Sequence, residues 1–421
     1  MKNRLLEKLN LDTEDNAWDV VLAGFFLVML LYGSYYCFGV FLKPILSELG
    51  WNRALTSGAI AVYMFIHGAS GILMGYLSDK YGARWVTSVS TIIIALGYYF
   101  MSKITEPVHL YLSFGIIIGF GMGAAYVPPI TTVTRWFVLK RGLAIGIVAA
   151  GVGVGQIIFP PSTRYLISTY GWRTSLVLIG LFIGVIGFPV TMLFREPSVK
   201  NSETPDNNIQ KENNKIMDKD YRLKEAVRTP PFAFLLCIFI TLIFGLSIVT
   251  THLVAHMDDM GLGPIKAAFA LTLIGGSGII GRIVIGGAAD RYNSKSLLPT
   301  ALMLQAILLF SLIWVNNLQE FYILAALYGL GYGGTLPLII KKNIDFFGTA
   351  YSGTIFGVLI FGGTSAGAIG APYAGYIYDK TGCYSAAFLT GGIVLLAGAI
   401  LSLALNLPCK TGIKADVKEV L

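Results

Sequence analysis

Arg282 is out of keeping with its surroundings, because it stands in the apolar run 267–289, eight residues before Asp290. At 1.5 Å per residue this places it roughly 12 Å inside the end of a helix. A cation that deep in a membrane costs about 2.5–3.5 kcal/mol on insertion scales, so it faces a cavity or a partner and is a functional candidate by default. Its guanidinium stays protonated, and the planar fork matches a carboxylate through two parallel hydrogen bonds, which suits it to holding an organic anion. No Asp or Glu lies in the interior of another apolar run. The counter-charge is therefore either a structural carboxylate from elsewhere or an arriving anion.

Other side chains of the apolar runs could complete such a site. His252 carries an imidazole, a side chain that ordinarily titrates near pH 6.5 and can hydrogen-bond a substrate hydroxyl or carbonyl, with a packing or interfacial role as the alternative. Tyr35, Tyr126, Tyr332 and Phe361 supply bulk and, for the tyrosines, hydroxyl donors, against a plain packing role for each. Tyr126 precedes Val127 and the pair Pro128–Pro129, where a kink can open the backbone. His67, flanked by Phe65, Ile66 and Gly68, reads as a packed residue, and Lys341 and Lys342 as boundary anchors. Cys37, Cys237, Cys383 and Cys409 have no metal-ligand or paired spacing. No phosphate-binding Gly loop and no zinc spacing occurs, so the sequence offers no parts for an ATP-driven pump or a metalloenzyme, and no cofactor is expected.

The elements that must position these residues follow from composition. Of 421 residues 55% are hydrophobic and 13% charged, against about a quarter charged in soluble domains. Apolar stretches near the roughly twenty residues of a spanning helix fall at 20–42, 54–77, 86–104, 110–134, 142–166, 172–194, 230–254, 267–289, 296–315, 320–341, 352–375 and 384–407. Barrel strands would be about half this length and would alternate in polarity, so the chain is expected to be an all-α membrane protein of twelve transmembrane helices in a lipid bilayer. Met1 to Asp19 is polar and lacks the apolar core of a secretory signal. Most of the 31 Lys and Arg residues fall in the segments that share a side with both termini, while Lys43, Arg53, Lys103, Arg164, Arg173, Lys266 and Lys380 fall on the other. The positive-inside rule then puts both termini in the cytoplasm of a multi-pass cell-membrane protein, and the net charge of +8 needs no nucleic acid to explain it.

Residues 195–229, with the polar stretch KNSETPDNNIQKENNK, read as a flexible cytoplasmic linker between a six-helix bundle at 1–194 and another at 230–421. An internal repeat supports the division. GYLSDKYGAR at 75–84 and GGAADRYNSK at 286–295 share Gly, Asp, a basic residue and Tyr in register, each after the second span of its half. Asp79 and Asp290 are thus expected to cap a helix N-terminus in the opposite half or to pair with a nearby Arg, with Arg84 and Arg291 as further basic members of a cytoplasmic latch. This loop resembles that between helices two and three of the major facilitator superfamily, which implies two pseudo-symmetric bundles and makes Arg135 the partner of Asp79. Asn293 stands where the superfamily pattern has Gly.

RWFVLKRGLAIGIVAAGVGVG at 135–155 and FGVFLKPILSELGWNRA at 38–54 resemble the monocarboxylate transporter family and its oxalate- and formate-exchanging relatives. That resemblance implies a carrier, not an enzyme, in which Arg282 matches an Arg of the eighth helix that binds substrate carboxylate. Some members carry an Asp one turn earlier, tied to proton coupling, where this chain has Gly278. Oxalate carriers add a Lys in the eleventh helix, and 356–376 contains none. One fixed cation suits a monoanion, so the expectation is proton-coupled symport of lactate- or pyruvate-like acids by alternating access. The alternatives are an oxalate/formate-type exchanger and a carboxylate sensor that does not transport. The repeat breaks at its most informative place, because Arg282 shifted by the offset of 211 falls on Gly71.

Overall fold

The computed structural model describes residues 17–51, 53–137, 139–197, 220–291 and 294–405. Among these the chain is helical without a strand. It forms α1 (Ala17–Leu49), α2 (Arg53–Tyr81), α3 (Ala83–Met101), α4 (Pro107–Trp136), α5 (Arg141–Tyr170) and α6 (Trp172–Met192) in the first half. The second half contains α7 (Pro230–Asp259), α8 (Pro264–Arg291), α9 (Ser294–Ser311), α10 (Leu318–Phe347), α11 (Ser352–Thr381) and α12 (Ser385–Leu403).

Ten of these helices have the length and hydropathy of a membrane span. The others, α3 with 19 residues and α9 with 18, are the third of each half. At about 27–29 Å they nearly match a hydrocarbon core of about 30 Å. Several helices run past the apolar stretch that marks them, α7 to Asp259 and α11 to Thr381, because helical hydrogen bonding is internal and does not end where side chains turn polar. Local signals set the ends: the Thr229 hydroxyl accepts from Phe232 N before Pro230–Pro231, Asn317 Oδ1 accepts from Glu320 N, and Gly382, left-handed at φ 72°, closes α11.

Two helices are interrupted where the site lies. Helix α1 breaks at Cys37 into Ala17–Tyr36 and Phe38–Leu49. Helix α4 passes through a π-helical stretch, Tyr111–Ile118, and loses regular form at 123–126 before restarting at Val127–Trp136 with its prolines at the first turn.

Within the halves α1 packs on α5 and α2 on α4, as α7 packs on α11 and α8 on α10. The halves meet along two seams related by the same repeat, α2 with α11 and α5 with α8. Glycines set the spacing there: a Cβ at Gly75 would strike the Gly353 carbonyl, one at Gly142 the Gly286 carbonyl and one at Gly146 the Arg282 carbonyl. Leu96, Leu181, Val185, Ile307, Ile393 and Ile400 are exposed on α3, α6, α9 and α12, an apolar exterior of the kind a bilayer solvates.

The region 195–229 connects α6 to α7, and its Asn- and Lys-rich stretch lies outside the described residues. Its ends are part of the folded body and not a free tether. Trp136 Nε1 donates to the Arg195 carbonyl at 2.8 Å, Tyr221 is buried with its N–H on the Phe347 carbonyl at 3.0 Å, and Leu223–Ala226 forms a short helix. We call the side that carries these ends the linker face.

Candidate functional site

Arg282 projects from α8 and is 3% exposed. Its Nε is buried without a hydrogen-bond partner, and no carboxylate pairs with it among the described residues. Glycines make its room: Nη1 lies 3.3 Å from where a Cβ would stand on Gly153 of α5 or on Gly278 one turn earlier in α8. Position 278 therefore supplies space to the guanidinium in place of a neutralising side chain. The Tyr332 ring of α10 lies under the cation, 5.5 Å from centroid to Cζ, a cation–π contact that softens the desolvation without cancelling the charge.

Tyr36 and Tyr126 are close enough to Arg282 to interact with it electrostatically. Tyr126 sits at the break in α4, 6% exposed, with its ring 5.9 Å from Tyr32 and 6.2 Å from Phe356 and its buried hydroxyl unpartnered. A fixed cation and an unpartnered hydroxyl from opposite halves thus share a buried aromatic surround, an arrangement that can take up a small anion with a second polar atom.

Other residues singled out in the sequence have different surroundings. Tyr35 stacks on Tyr63 at 4.6 Å within the first half. Phe361 meets Phe65 at 5.9 Å and would touch a Cβ on Gly68, so it belongs to the α2–α11 seam. His252 is set apart from Arg282. Its Nε2 lies 2.8 Å from the Ala371 carbonyl and its ring 5.1 Å from Tyr384. Counted from the linker face, His252 is about 33 Å along α7 and Arg282 about 13 Å along α8. His67, which the sequence left as packing, is 8% exposed at mid-span with its ring 6.3 Å from Tyr32 and 5.6 Å from Tyr63. Only its depth within a span signals this in the sequence.

The sequence model of the Major Facilitator Superfamily matches residues 24–371 and 284–415. The chain belongs to this superfamily. It is 28% identical to monocarboxylate transporter 13 of Rattus norvegicus over 387 residues, covering 91% of this chain and 87% of the relative. It is 25% identical to the oxalate:formate antiporter of Oxalobacter formigenes over 411 residues, covering 96% of each. Among solved structures, the E. coli fucose:proton symporter superposes with a TM-score of 0.71 at 16% identity, covering 92% of this chain and 98% of that one. The relatives are transporters and not enzymes, and this chain is a multi-pass membrane transporter of the superfamily.

At the transporter's linker face the repeated aspartates act across the seams. Asp79, its side chain 4% exposed, accepts from Gly353 N at 3.1 Å, Thr354 N at 2.8 Å and the Thr354 hydroxyl at 2.8 Å, all at the start of α11. Its Oδ1 also accepts from Arg135 at 2.8 Å, and Arg135 in turn reaches Glu196. Asp290 accepts from Gly142 N at 2.8 Å and Leu143 N at 2.9 Å at the start of α5. Its cationic partner is Lys341 of α10, at 2.9 Å, and not an arginine. No helix end marks this partner in the sequence, because α10 runs on past Lys341 to Phe347, whereas Arg135 stands in the last turn of α4. Arg84 and Arg291 stand outside this set: Arg84 donates to the Met192 sulfur at 3.2 Å and 3.4 Å, and Arg291 is exposed without a hydrogen bond or ion pair among the described residues.

Proposed function

We propose that this transporter carries small monocarboxylates of the lactate and pyruvate kind together with protons, by alternating access, with Arg282 binding the carboxylate. The observation that carries the reading is a buried guanidinium whose Nε has no partner and which no carboxylate neutralises. A buried cation left unpaired is costly, and an incoming carboxylate removes that cost with two charge-assisted hydrogen bonds. Tyr126, with its free hydroxyl, is positioned for an oxygen beside the carboxylate, and Tyr332 supports the guanidinium.

The cycle rests on the two glycine-spaced seams as rocking surfaces. The distribution of Lys and Arg makes the linker face cytoplasmic, and Asp79 and Asp290 latch it shut by capping helices of the opposite half. Charge-neutralising the site lowers the cost of closing the other side over it, which ties occupancy to the switch. A second reading, anion exchange, is favoured by likeness to the oxalate:formate antiporter over 96% of both chains. Its handicap is that α11 contributes no second cation, since 352–375 contains no Lys or Arg.

Proteoliposomes with labelled lactate test both. An inward proton gradient should drive accumulation in the wild type, whereas acceleration only by acid trapped inside means exchange, and binding without uptake means a sensor. Arg282→Ala should lose uptake by at least 100-fold. Wild-type-like uptake in that variant would sink the assignment of the carboxylate site.

A further inference from the structure

Resting on the symport reading above, we infer that His67 is the proton-binding site of the transport cycle, placed in the first half opposite the substrate cation of the second. Symport of a carboxylate with a proton requires a group near the substrate that takes up and releases a proton around neutral pH. Arg282 does neither, because a guanidinium remains charged. A phenol ordinarily titrates near pH 10, too high to exchange a proton around neutral pH. Among the described residues no Asp or Glu lies at mid-membrane, His252 is held by the Ala371 carbonyl about 20 Å nearer the other face, His256 lies one turn further along α7 among Phe321, Tyr384 and Phe388, and His109 is exposed at the start of α4. His67 remains, a buried imidazole at mid-span of α2 for which no hydrogen bond or ion pair is formed among the described residues.

Its surroundings link it to the substrate site. From α1, Tyr32 faces the ring at 6.3 Å, and Tyr35 stacks on Tyr63, the neighbour of His67 on its own helix. From α4 the facing titratable group is Tyr126, 5.9 Å beyond Tyr32, and through Tyr126 the cation Arg282 of α8 enters the field. The face of α11 at this level presents Phe361 and Thr364 opposite Gly68, and the contact with α3 is made by Ser90 on Met74, neither of which titrates. His67 and Arg282 therefore share one aromatic cluster with no acid between them. With the site empty, a proton on the imidazole is opposed by the unneutralised guanidinium. With a carboxylate on Arg282 that repulsion is cancelled, so proton and acid enter together. The imidazole lone pair takes the proton on one side of the membrane and returns it to water on the other, and one anion with one proton moves no net charge.

The test compares wild type with His67→Gln and His67→Phe in proteoliposomes, using labelled lactate and two readouts: counterflow against trapped lactate, and accumulation driven by an inward proton gradient. Both variants should keep counterflow within about threefold of wild type, lose gradient-driven accumulation by at least tenfold, and show uptake rates that no longer rise between pH 7.5 and pH 5.5. Gradient-driven accumulation retained by either variant overturns the assignment. Loss of counterflow in both variants also overturns it, since the imidazole would then serve passage of the acid itself. A wild type that exchanges but never accumulates on a proton gradient refutes the symport reading instead, whatever the variants do.

Discussion

Replacing Asp79 with Asn tests whether the carboxylate holds the linker face closed. Oδ1 accepts from Gly353 N and Arg135, and Oδ2 accepts from Thr354 N and from its hydroxyl. An amide keeps one oxygen and turns the other into a donor, so one backbone contact to α11 is lost whichever way it points, Gly353 N or Thr354 N, while the Thr354 hydroxyl can turn to accept from the new N–H. Hydrogen bonds to a charged group contribute about 1.5–3 kcal/mol each, and the 4% exposed side chain leaves little access for water to replace them. The lower bound is about 1.5 kcal/mol, or a factor of about 10 in the closed-to-open ratio. Arg135 belongs to the same half as Asp79 and keeps its contact when the face opens, whereas Gly353 and Thr354 belong to the other half, so loss of a contact to α11 falls on the closed state. Spin labels at Tyr81→Cys, which ends α2, and Ala350→Cys, just before α11, report the seam in a background with Cys37, Cys237, Cys383 and Cys409 replaced. The Asp79→Asn protein should shift to longer distances across the seam without substrate. A distance distribution that superimposes on the parent would refute the latch, and the same experiment on Asp290→Asn with labels across α5 and α8 should give a comparable shift.

Gly146→Val puts a side chain against the Arg282 carbonyl, so α5 and α8 must part at the linker face. Uptake of labelled lactate should fall at least tenfold while equilibrium binding persists, and unchanged uptake would show that the seam tolerates wider spacing. Tyr332→Leu removes the ring beneath Arg282 and should weaken lactate binding by about 3–30-fold, the range of a desolvated cation–π contact. Tyr332→Phe should stay near wild type, and equal losses in the two would point to the hydroxyl. Glu48→Gln breaks the pair with Arg173, whose side chains are 48% and 36% exposed. Exposed pairs contribute at most about 1 kcal/mol, so the melting temperature in detergent should move by no more than about 2 °C, and a larger drop would mean that this corner is coupled to the core.

The membrane helices, the repeated aspartates and the isolated Arg282 were legible in the sequence alone, because each is written in local composition or in spacing along one chain. Burying an Arg in an apolar run is a local statement, and helix ends are set by residues such as Thr229 and Asn317 beside them. What faces what across two helices depends on rotation, crossing and depth, which no single helix encodes. Tertiary structure alone therefore paired Asp290 with Lys341 instead of an arginine and moved Arg84 to the Met192 sulfur. It fixed the ends of the linker region against Phe347 and Trp136. It also separated two histidines, since His252 and His67 have similar chemistry along the chain, but only their depth and neighbours put the first on the Ala371 carbonyl and the second among Tyr32 and Tyr63.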